Sequence, residues 1–347
     1  MECIAVAMNE TQLKECIKTG GANLYLFYGA ETYLVEQYAR LVAKHTVEEG
    51  FDAFNLQRFD GQTVSAEELE AAVEALPLMS DRKCVTVRDL DPCGSESERL
   101  LRIIGALPDT CVLVLWQVTA QPDKRKNAWK ELLSIAEKQG VCMQFARKDI
   151  NDTAKILAGG AKRRGCRLDV ADARYLAEQV GNDLNLLIGE LDKLCALANG
   201  GEINKKMIDA ACPKNLEAKV FDLSKAILYR RRQEAFDLLY QLRVQREEPV
   251  AVLGVLSSAY ADLYRAKAAQ TAGEQAERLA GHYKSYKSKE WKLRNAARDA
   301  ARLSVAALRD CLEILATTDT ALKTGRNDGW VMLEQTVAAL CNRLREG

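Results

Sequence analysis

The chain has 347 residues, and its 49 Lys and Arg residues balance 49 Asp and Glu residues to a formal net charge of zero. Its length suffices for two or three domains with their own cores, and 48% apolar with 28% charged residues is typical of globular proteins. A neutral chain is not expected to bind nucleic acid tightly by itself, since neutralising phosphates requires a basic surface.

The cysteines and histidines exclude further classes. The eleven cysteines form no Cys-x-x-Cys pair and are odd in number, which argues against a disulfide framework or a zinc ribbon. Only His45 and His282 are present, so the chain has almost no histidines from which to build a metal site or a histidine-dependent catalytic triad. No stretch approaches the roughly 18 apolar residues of a membrane span, and the N-terminus lacks a signal-peptide pattern. We therefore expect a cytoplasmic protein that holds no metal and is not embedded in a membrane.

The first 148 residues alternate between predicted strands and helices. Residues 24–29 form an apolar run ending in Gly29, which is typical of a buried strand that leads into a turn, and an amphipathic helix follows. Further strands are predicted at residues 54–59, 84–87, 111–116 and 141–145, and helices at residues 65–76, 96–107 and 124–138. This alternation predicts a mostly parallel sheet with right-handed crossovers and helices on both faces.

The loop after the first strand stands where a nucleotide-binding fold carries its phosphate loop. It reads Gly29-Ala30-Glu31-Thr32-Tyr33-Leu34-Val35, without the second glycine, the lysine and the final hydroxyl, and Glu31 adds negative charge where phosphates would sit. The strand at residues 111–116 is followed by Gln117, where an active ATPase is expected to have acidic residues. Two separate defects predict a phosphate-loop topology that does not hold ATP.

The stretch from Ser65 onward predicts an exposed apolar corner. Ser65 and Glu68 form a capping box, and Leu69, Ala72, Val73 and Leu76 follow at the spacing of one buried helical stripe. Pro77 makes continuation of this helix beyond Leu76 unfavourable.

Leu78 and Met79 come directly after this proline. Residues 80–83 are polar and are expected to be exposed to solvent, and a strand is predicted at Cys84–Val87. Two adjacent apolar side chains at such a corner suit insertion into a partner's pocket. The pattern leaves packing under a neighbouring loop as the alternative.

From Asp149 onward the strand signal stops. Helices are predicted at 173–180 and 183–197, and Pro213 marks a boundary before a wholly helical region. The further helices are predicted near residues 232–246, 249–270, 286–300, 304–323 and 329–345. The helix at 304–323 carries four leucines, Leu308, Leu312, Leu315 and Leu322, which favours packing into an oligomeric collar, with a self-contained bundle as the alternative.

Four segments in register resemble the delta subunit of bacterial DNA polymerase III, the clamp-opening subunit of the clamp loader. They are Leu26-Phe27-Tyr28-Gly29-Ala30-Glu31 with Leu34, Leu76-Pro77-Leu78-Met79-Ser80-Asp81-Arg82-Lys83 followed by Val85-Thr86-Val87-Arg88, Val180-Gly181-Asn182-Asp183-Leu184 through Glu190-Leu191-Asp192-Lys193-Leu194, and Val220-Phe221-Asp222-Leu223. The run Asp123-Lys124-Arg125-Lys126 is also similar, and the resemblance covers nearly the whole chain.

The resemblance implies a fold that is α/β followed by all-α. It implies an AAA+-like parallel-sheet module with a degenerate phosphate loop at residues 1–148, a helical lid at 149–212 and a helical collar at 213–347. No ATPase activity, catalytic residue, cofactor or metal is implied for this subunit, which would be a component of the DNA-directed DNA polymerase holoenzyme.

The resemblance also implies partners and a site. Leu78 and Met79 would enter a pocket on the sliding clamp, the beta subunit; family members often have an aromatic residue where this chain has Met79. The clamp-loader ATPase subunits (tau/gamma) and delta-prime would complete a hetero-pentamer that acts on primed DNA.

Two basic and aromatic stretches raise the question of DNA contact. The first comprises Lys284, Lys287, Lys289, Lys292, Arg294 and Arg298 with Tyr283, Tyr286 and Trp291, and the second comprises Lys323, Arg326 and Trp330. Such residues can meet phosphates and stack on bases, whereas a solvated helix face over core aromatics is the alternative. The rival functions are an active P-loop ATPase, a helical DNA-binding regulator, and a scaffold protein on an inactive P-loop fold.

Overall fold

The computed structural model describes residues 8–283, 286, 290–325 and 328–344. Their contacts divide the chain into two compact units. Unit 1 contains the described residues up to 170 together with Asn182–Gly200, and unit 2 contains Ala171–Gly181 and the described residues from Gly201 onward. The three-domain division made from the sequence stays a prediction.

Unit 1 is built on a parallel sheet of five strands. The strands are β1 (Leu24–Tyr28), β2 (Leu56–Asp60), β3 (Lys83–Arg88), β4 (Cys111–Trp116) and β5 (Val141–Gln144). They lie in the order β2-β3-β4-β1-β5, and every pairing is parallel. The predicted parallel sheet is confirmed, and its three central strands, β3, β4 and β1, are largely buried on both sides because helices cover both faces.

The helices of unit 1 are α1 (Glu10–Thr19), α2 (Thr32–Thr46), α3 (Asp52–Asn55), α4 (Ala66–Glu74), α5 (Ser97–Gly105), α6 (Asn127–Gln139), α7 (Ile150–Arg163) and α9 (Leu184–Ala198). Leu24 and Leu26 of β1 pack in one core with α4, α5 and α6, whereas Tyr25 and Phe27 pack in a second core with α1 and α2. This alternation follows from the two-residue period of a strand. The sheet is therefore a middle layer between two helical layers.

Several sequence-based predictions about these elements were wrong. Helix α1 was not predicted, and the predicted strand at 54–59 begins only at Leu56, because Phe54 and Asn55 belong to α3. Two-residue strands, β6 (Arg167–Leu168) and β7 (Glu202–Ile203), also occur beyond Asp149, where no strand was expected.

Unit 2 is helical in its larger part. After α8 (Val170–Val180), which begins at the boundary of the two units, its helices are α10 (Lys205–Ala211), α11 (Leu216–Leu228), α12 (Arg232–Val244), α13 (Pro249–Thr271), α14 (Glu290–Asp299), α15 (Val305–Thr324) and α16 (Gly329–Arg343), with a 3₁₀ turn at Ala276–Gly281.

The four leucines of the predicted helix at 304–323 all belong to α15 of this unit. Leu308 and Leu315 are buried, and Leu312 and Leu322 pack against the same core. Their number is thus explained by the unit's own core, and they no longer argue for an oligomeric collar.

Candidate protein-binding site

The corner between α4 and β3 exposes three apolar side chains. Helix α4 begins after the Ser65/Glu68 capping box, as predicted, and ends at Glu74. Leu76 is 82% exposed, Leu78 49% and Met79 79%. Leu78 and Met79 therefore lie on the surface of unit 1. The alternative, that they pack under a neighbouring loop, is wrong.

Leu76 does not extend the buried stripe of α4, so this part of the prediction was wrong. Leu69, Ala72 and Val73 are buried, but Ala75 adopts φ −54° and ψ 139°, an extended conformation that turns the chain away before Leu76. The helix ends two residues earlier than the pattern indicates, and the exposed apolar surface of the corner is larger by one leucine.

Lys83 fixes the base of the corner. It was expected in water, yet only 3% of it is exposed, and its ammonium donates to the carbonyl oxygens of Ala72 and Ala75 at the end of α4. These carbonyls lack partners within the helix, so a cation is well placed there. Burial lowers the pKa of the Lys83 amine. A charged side chain at the start of β3 thus terminates the helix that leads into the corner.

Arg82 holds the same segment from the other side. Its Nε donates to the Asp109 carbonyl at 3.2 Å, one terminal nitrogen donates to the Gly20 carbonyl at 3.1 Å, and the other donates to the Asn23 side chain. The guanidinium is thereby bound to two loops of unit 1, the one before β1 and the one before β4, which ties the corner to the amino-terminal ends of these two strands.

Asn55 binds the apex of the corner. Its Oδ1 accepts the Leu78 N–H at 2.8 Å, and its Nδ2 donates to the Leu78 carbonyl at 2.9 Å. Asn55 itself is 1% exposed. Sequence reasoning missed this residue, because an asparagine at the end of a four-residue helix carries no periodic signal for a partner 23 residues away.

The loop after β1 connects a strand to a helix, as a phosphate loop does, but it lacks the second glycine, the lysine and the final hydroxyl of that motif. Gly29 adopts φ 132°, and a Cβ there would lie 2.2 Å from the Phe145 carbonyl oxygen, so β5 closes tightly on the loop. The N-terminus of α2 is occupied by Glu31, which is 1% exposed. The position that would attract a phosphate therefore holds a carboxylate of the chain itself.

The surroundings of Glu31 are only partly matched to its charge. The Lys148 backbone N–H reaches its Oε2 at 3.4 Å, while Oε1 is buried and has no hydrogen-bond partner among the described residues. Burial raises the pKa of Glu31, and the Lys148 N–H offsets part of this effect. The neighbouring Thr32 hydroxyl accepts a bond from the Asn185 amide at 3.0 Å. Side chains of unit 1 thus fill the loop.

At the end of β4, Gln117 is fully buried and donates from Nε2 to the Leu90 carbonyl at 2.8 Å. The nearby carboxylate is that of Asp89, whose Oδ1 accepts the N–H groups of Val118 at 2.7 Å and Thr119 at 2.9 Å. Burial raises the pKa of Asp89, but these backbone bonds, the Thr119 side chain and the Arg88 charge together outweigh burial, and the net pKa is lowered. Both side chains are engaged in holding the loop after β4.

The basic and aromatic stretches of unit 2 are described only in part. Tyr286 is 4% exposed and donates its hydroxyl to Asp262, and Arg294 pairs with Glu277 at 2.9 Å. Lys284, Lys287 and Lys289 lie outside the described residues, as does the side chain of Trp291. Of this stretch, Tyr286 is a core residue, which matches the alternative of a solvated face over core aromatics.

Of the second stretch, Lys323 is exposed and pairs with Asp319 at 2.6 Å. Trp330 packs partly against the core of unit 2, and Arg326 lies outside the described residues. A DNA contact at this loop stays a prediction.

The described helices include none that is long and apolar enough to cross a membrane. In the same part of the chain, no group of three or more His, Cys, Asp or Glu side chains is arranged to hold a metal ion.

The sheet order, the strand–glycine–helix loop and the following helices define the class: an AAA+-like α/β module joined to a helical region. Two family models match the sequence, "DNA polymerase III, delta subunit" at residues 25–142 and "DNA polymerase III delta subunit, C-terminal domain" at residues 217–340. Together they cover more than half of the chain, which belongs to the family of DNA polymerase III delta subunits.

Similar proteins agree over nearly full length. The DNA polymerase III subunit delta of Bacillus subtilis is 26% identical, covering 92% of this chain and 93% of that protein. The subunit of the same name from Escherichia coli is 22% identical, covering 96% and 95%. Among solved structures, the Bacillus subtilis DNA clamp loader delta protein has a TM-score of 0.54 at 24% identity, covering 96% of this chain and 99% of that one.

Proposed function

We propose that this protein is a noncatalytic clamp-loader subunit that binds a ring-shaped sliding clamp through Leu78 and Met79 and favours the open ring. The observation that carries the proposal is the corner itself, where two adjacent apolar side chains are exposed on a backbone bound at the base and the apex. The names of the relatives, which are polymerase III delta subunits, support the same assignment.

The exposed apolar area is sufficient for an anchor. Fully burying a leucine or methionine contributes about 1.5–3 kcal/mol, so the exposed fractions of these two side chains together contribute roughly 2–4 kcal/mol. Surrounding contacts must supply the rest of the association free energy. No covalent step is required, because tighter binding to the open ring shifts its population toward opening.

The partners we propose are the sliding clamp, the tau/gamma ATPase subunits, delta-prime and primed DNA. The ATPase neighbours would supply the nucleotide chemistry, because here Glu31 occupies the phosphate position and Gln117 follows β4. We further propose that residues 1–148, 149–212 and 213–347 act as the AAA+-like module, the lid and the collar in the cytoplasm.

The test is the double variant Leu78→Ala/Met79→Ala, with clamp affinity measured by surface plasmon resonance. We expect an affinity loss on the order of 100-fold, from the lost apolar burial at about 1.4 kcal/mol per tenfold. The matched control is Leu186→Ala/Leu197→Ala, which removes two comparably exposed leucines of α9, 60% and 59% exposed, in the same unit. Unchanged clamp affinity in a folded Leu78/Met79 variant would refute the assignment.

The three rival functions are tested by direct binding. ATP retained by the purified chain in a filter-binding assay would support the ATPase instead. Salt-dependent affinity of the isolated chain for duplex DNA would support a DNA-binding regulator, since phosphate neutralisation releases counterions. We expect neither. Co-elution of the chain with the clamp on size exclusion would exclude a scaffold without a clamp partner.

A further inference from the structure

The backbone of Leu78 is held by a single side chain from another part of unit 1. One carboxamide, that of Asn55, both accepts the Leu78 N–H and donates to the Leu78 carbonyl, at 2.8 and 2.9 Å. Such a pair of bonds imitates the contact that a neighbouring strand would make. Because Asn55 is buried, the amide is itself fixed, and it holds the exposed residue in one orientation.

The corner would not keep its shape by local preference. Met79 lies at φ 54°, in the left-handed region that side chains other than glycine adopt only where surrounding structure imposes it. The segment from Ala75 to Ser80 belongs to neither a helix nor a strand. Without an external hold, these residues would sample many conformations, and Leu78 and Met79 would be free to fold back onto their own subunit.

The other two holds on the corner act below its apex. Lys83 binds the end of α4, and Arg82 binds the backbone near the sheet. Asn55 is the residue that reaches the apolar pair itself. An asparagine suits this position because it offers one acceptor and one donor, whereas aspartate has no donor and glutamine is longer by one methylene.

We propose that Asn55 is a positioning residue for partner binding, which keeps Leu78 and Met79 in the projecting conformation before the partner arrives. The inference rests on the proposed function, in that the partner is the sliding clamp. Pre-ordering the corner removes conformational entropy that binding would otherwise have to overcome. Asn55 itself need not touch the clamp.

The test uses the full-length protein with Asn55→Ala and the isosteric Asn55→Asp, which keeps the side-chain volume but loses the donor. In the free protein, hydrogen exchange at the Leu78 amide is expected to be slow in the wild type and markedly faster in Asn55→Ala. Clamp affinity by surface plasmon resonance is expected to fall about tenfold in Asn55→Ala, since the corner must then be ordered on binding. It is expected to fall at least as much in Asn55→Asp, because a carboxylate oxygen would then face the Leu78 carbonyl oxygen.

The matched control is Asn182→Ala. Asn182 is a partly buried asparagine of unit 1 that donates to the Lys148 carbonyl at 2.8 Å, away from the corner. We expect this variant to retain wild-type clamp affinity. Thermal unfolding of every variant establishes that it is folded before its affinity is compared.

A double-mutant cycle separates positioning from general weakening. In a Leu78→Ala/Met79→Ala background, Asn55→Ala is expected to change clamp affinity less than twofold, because nothing remains to be positioned. An equal loss with and without the apolar pair overturns the inference, as does normal affinity of both folded Asn55 variants. Unchanged exchange at the Leu78 amide in Asn55→Ala also overturns it, independently of the clamp.

The same data distinguish this inference from the proposed function. Normal clamp binding by Leu78→Ala/Met79→Ala overturns the proposed function and, with it, the clamp as the partner. Loss of binding in that variant together with normal binding in Asn55→Ala overturns the positioning role alone.

Discussion

Two loops of unit 1 differ in which side chains they bury and which they expose. The loop after β1 buries a carboxylate, Glu31, at a helix N-terminus where related folds attract phosphate. The corner after α4 instead exposes Leu78 and Met79 and buries the polar side chains of Asn55 and Lys83 beneath them. The first loop therefore places a carboxylate at a phosphate position, whereas the second exposes apolar side chains and supports them with buried polar groups.

The largest expected effect comes from placing a charge at the apolar corner. Met79→Asp introduces a carboxylate that an apolar pocket cannot solvate, and we expect clamp affinity to fall by more than about 100-fold. Aspartate tolerates the left-handed backbone of this position, so the free energy of unfolding should change little. Surface plasmon resonance and chemical denaturation measure the two quantities.

Glu31→Gln is the matched control for that variant, because it alters charge at the other loop. We expect it to leave clamp affinity unchanged. A similar loss of affinity in both variants would contradict the distinction between the two loops.

A smaller effect is expected on stability at the Glu31 loop. The raised pKa of Glu31 means that the folded protein holds its proton more tightly than the unfolded chain does. The free energy of unfolding therefore falls as pH rises from the usual carboxyl value of 4.5 through the raised pKa, and stays lowered above it. Glu31→Gln removes this fall and should therefore stabilise the protein at pH 7 relative to the wild type.

Urea unfolding of Glu31→Gln and wild type across this pH range measures the effect. The control is Glu48→Gln, because Glu48 is an exposed acid of the same unit. If the stability difference between Glu31→Gln and wild type does not depend on pH, the buried carboxylate is not ionising as the structure indicates.

The smallest effect is expected at the start of α4. Ser65→Ala removes the side-chain acceptor of the capping box, which bonds the Glu68 N–H at 3.2 Å, and should lower the free energy of unfolding by about 1 kcal/mol. Because the corner is held by Asn55 and Lys83 at the other end of the helix, clamp affinity should change less than twofold. A large affinity loss without a stability loss would instead place the cap in the binding site.

Much of the fold could be predicted from local sequence. The predicted strands overlap all five strands of the sheet, four of them closely, and their alternation with helices predicted parallel pairing. The Ser65/Glu68 pair located the start of α4 to the residue. Helix α1 and the short α3 were not predicted, because a weakly apolar helix and a four-residue helix give little periodic signal.

The candidate site was predicted in part. The position of Leu78 and Met79 after Pro77 indicated a corner, but the pattern left open whether a loop covered it. Leu76 matched the helical stripe and is nonetheless exposed, and Lys83 looked like a solvated cation and is buried. Periodicity describes one element at a time, so it could not reveal contacts made by the chain that follows.

The sequence by itself determined the strand–helix alternation, the defective phosphate loop and the apolar pair, because each depends on residues that are neighbours along the chain. Only the tertiary structure decided that the pair is exposed and how it is held. Asn55 and Leu78 are 23 residues apart, and Lys83 reaches back 8 and 11 residues to the end of α4. Such hydrogen bonds satisfy buried polar groups wherever folding brings them together, and no local pattern encodes that meeting.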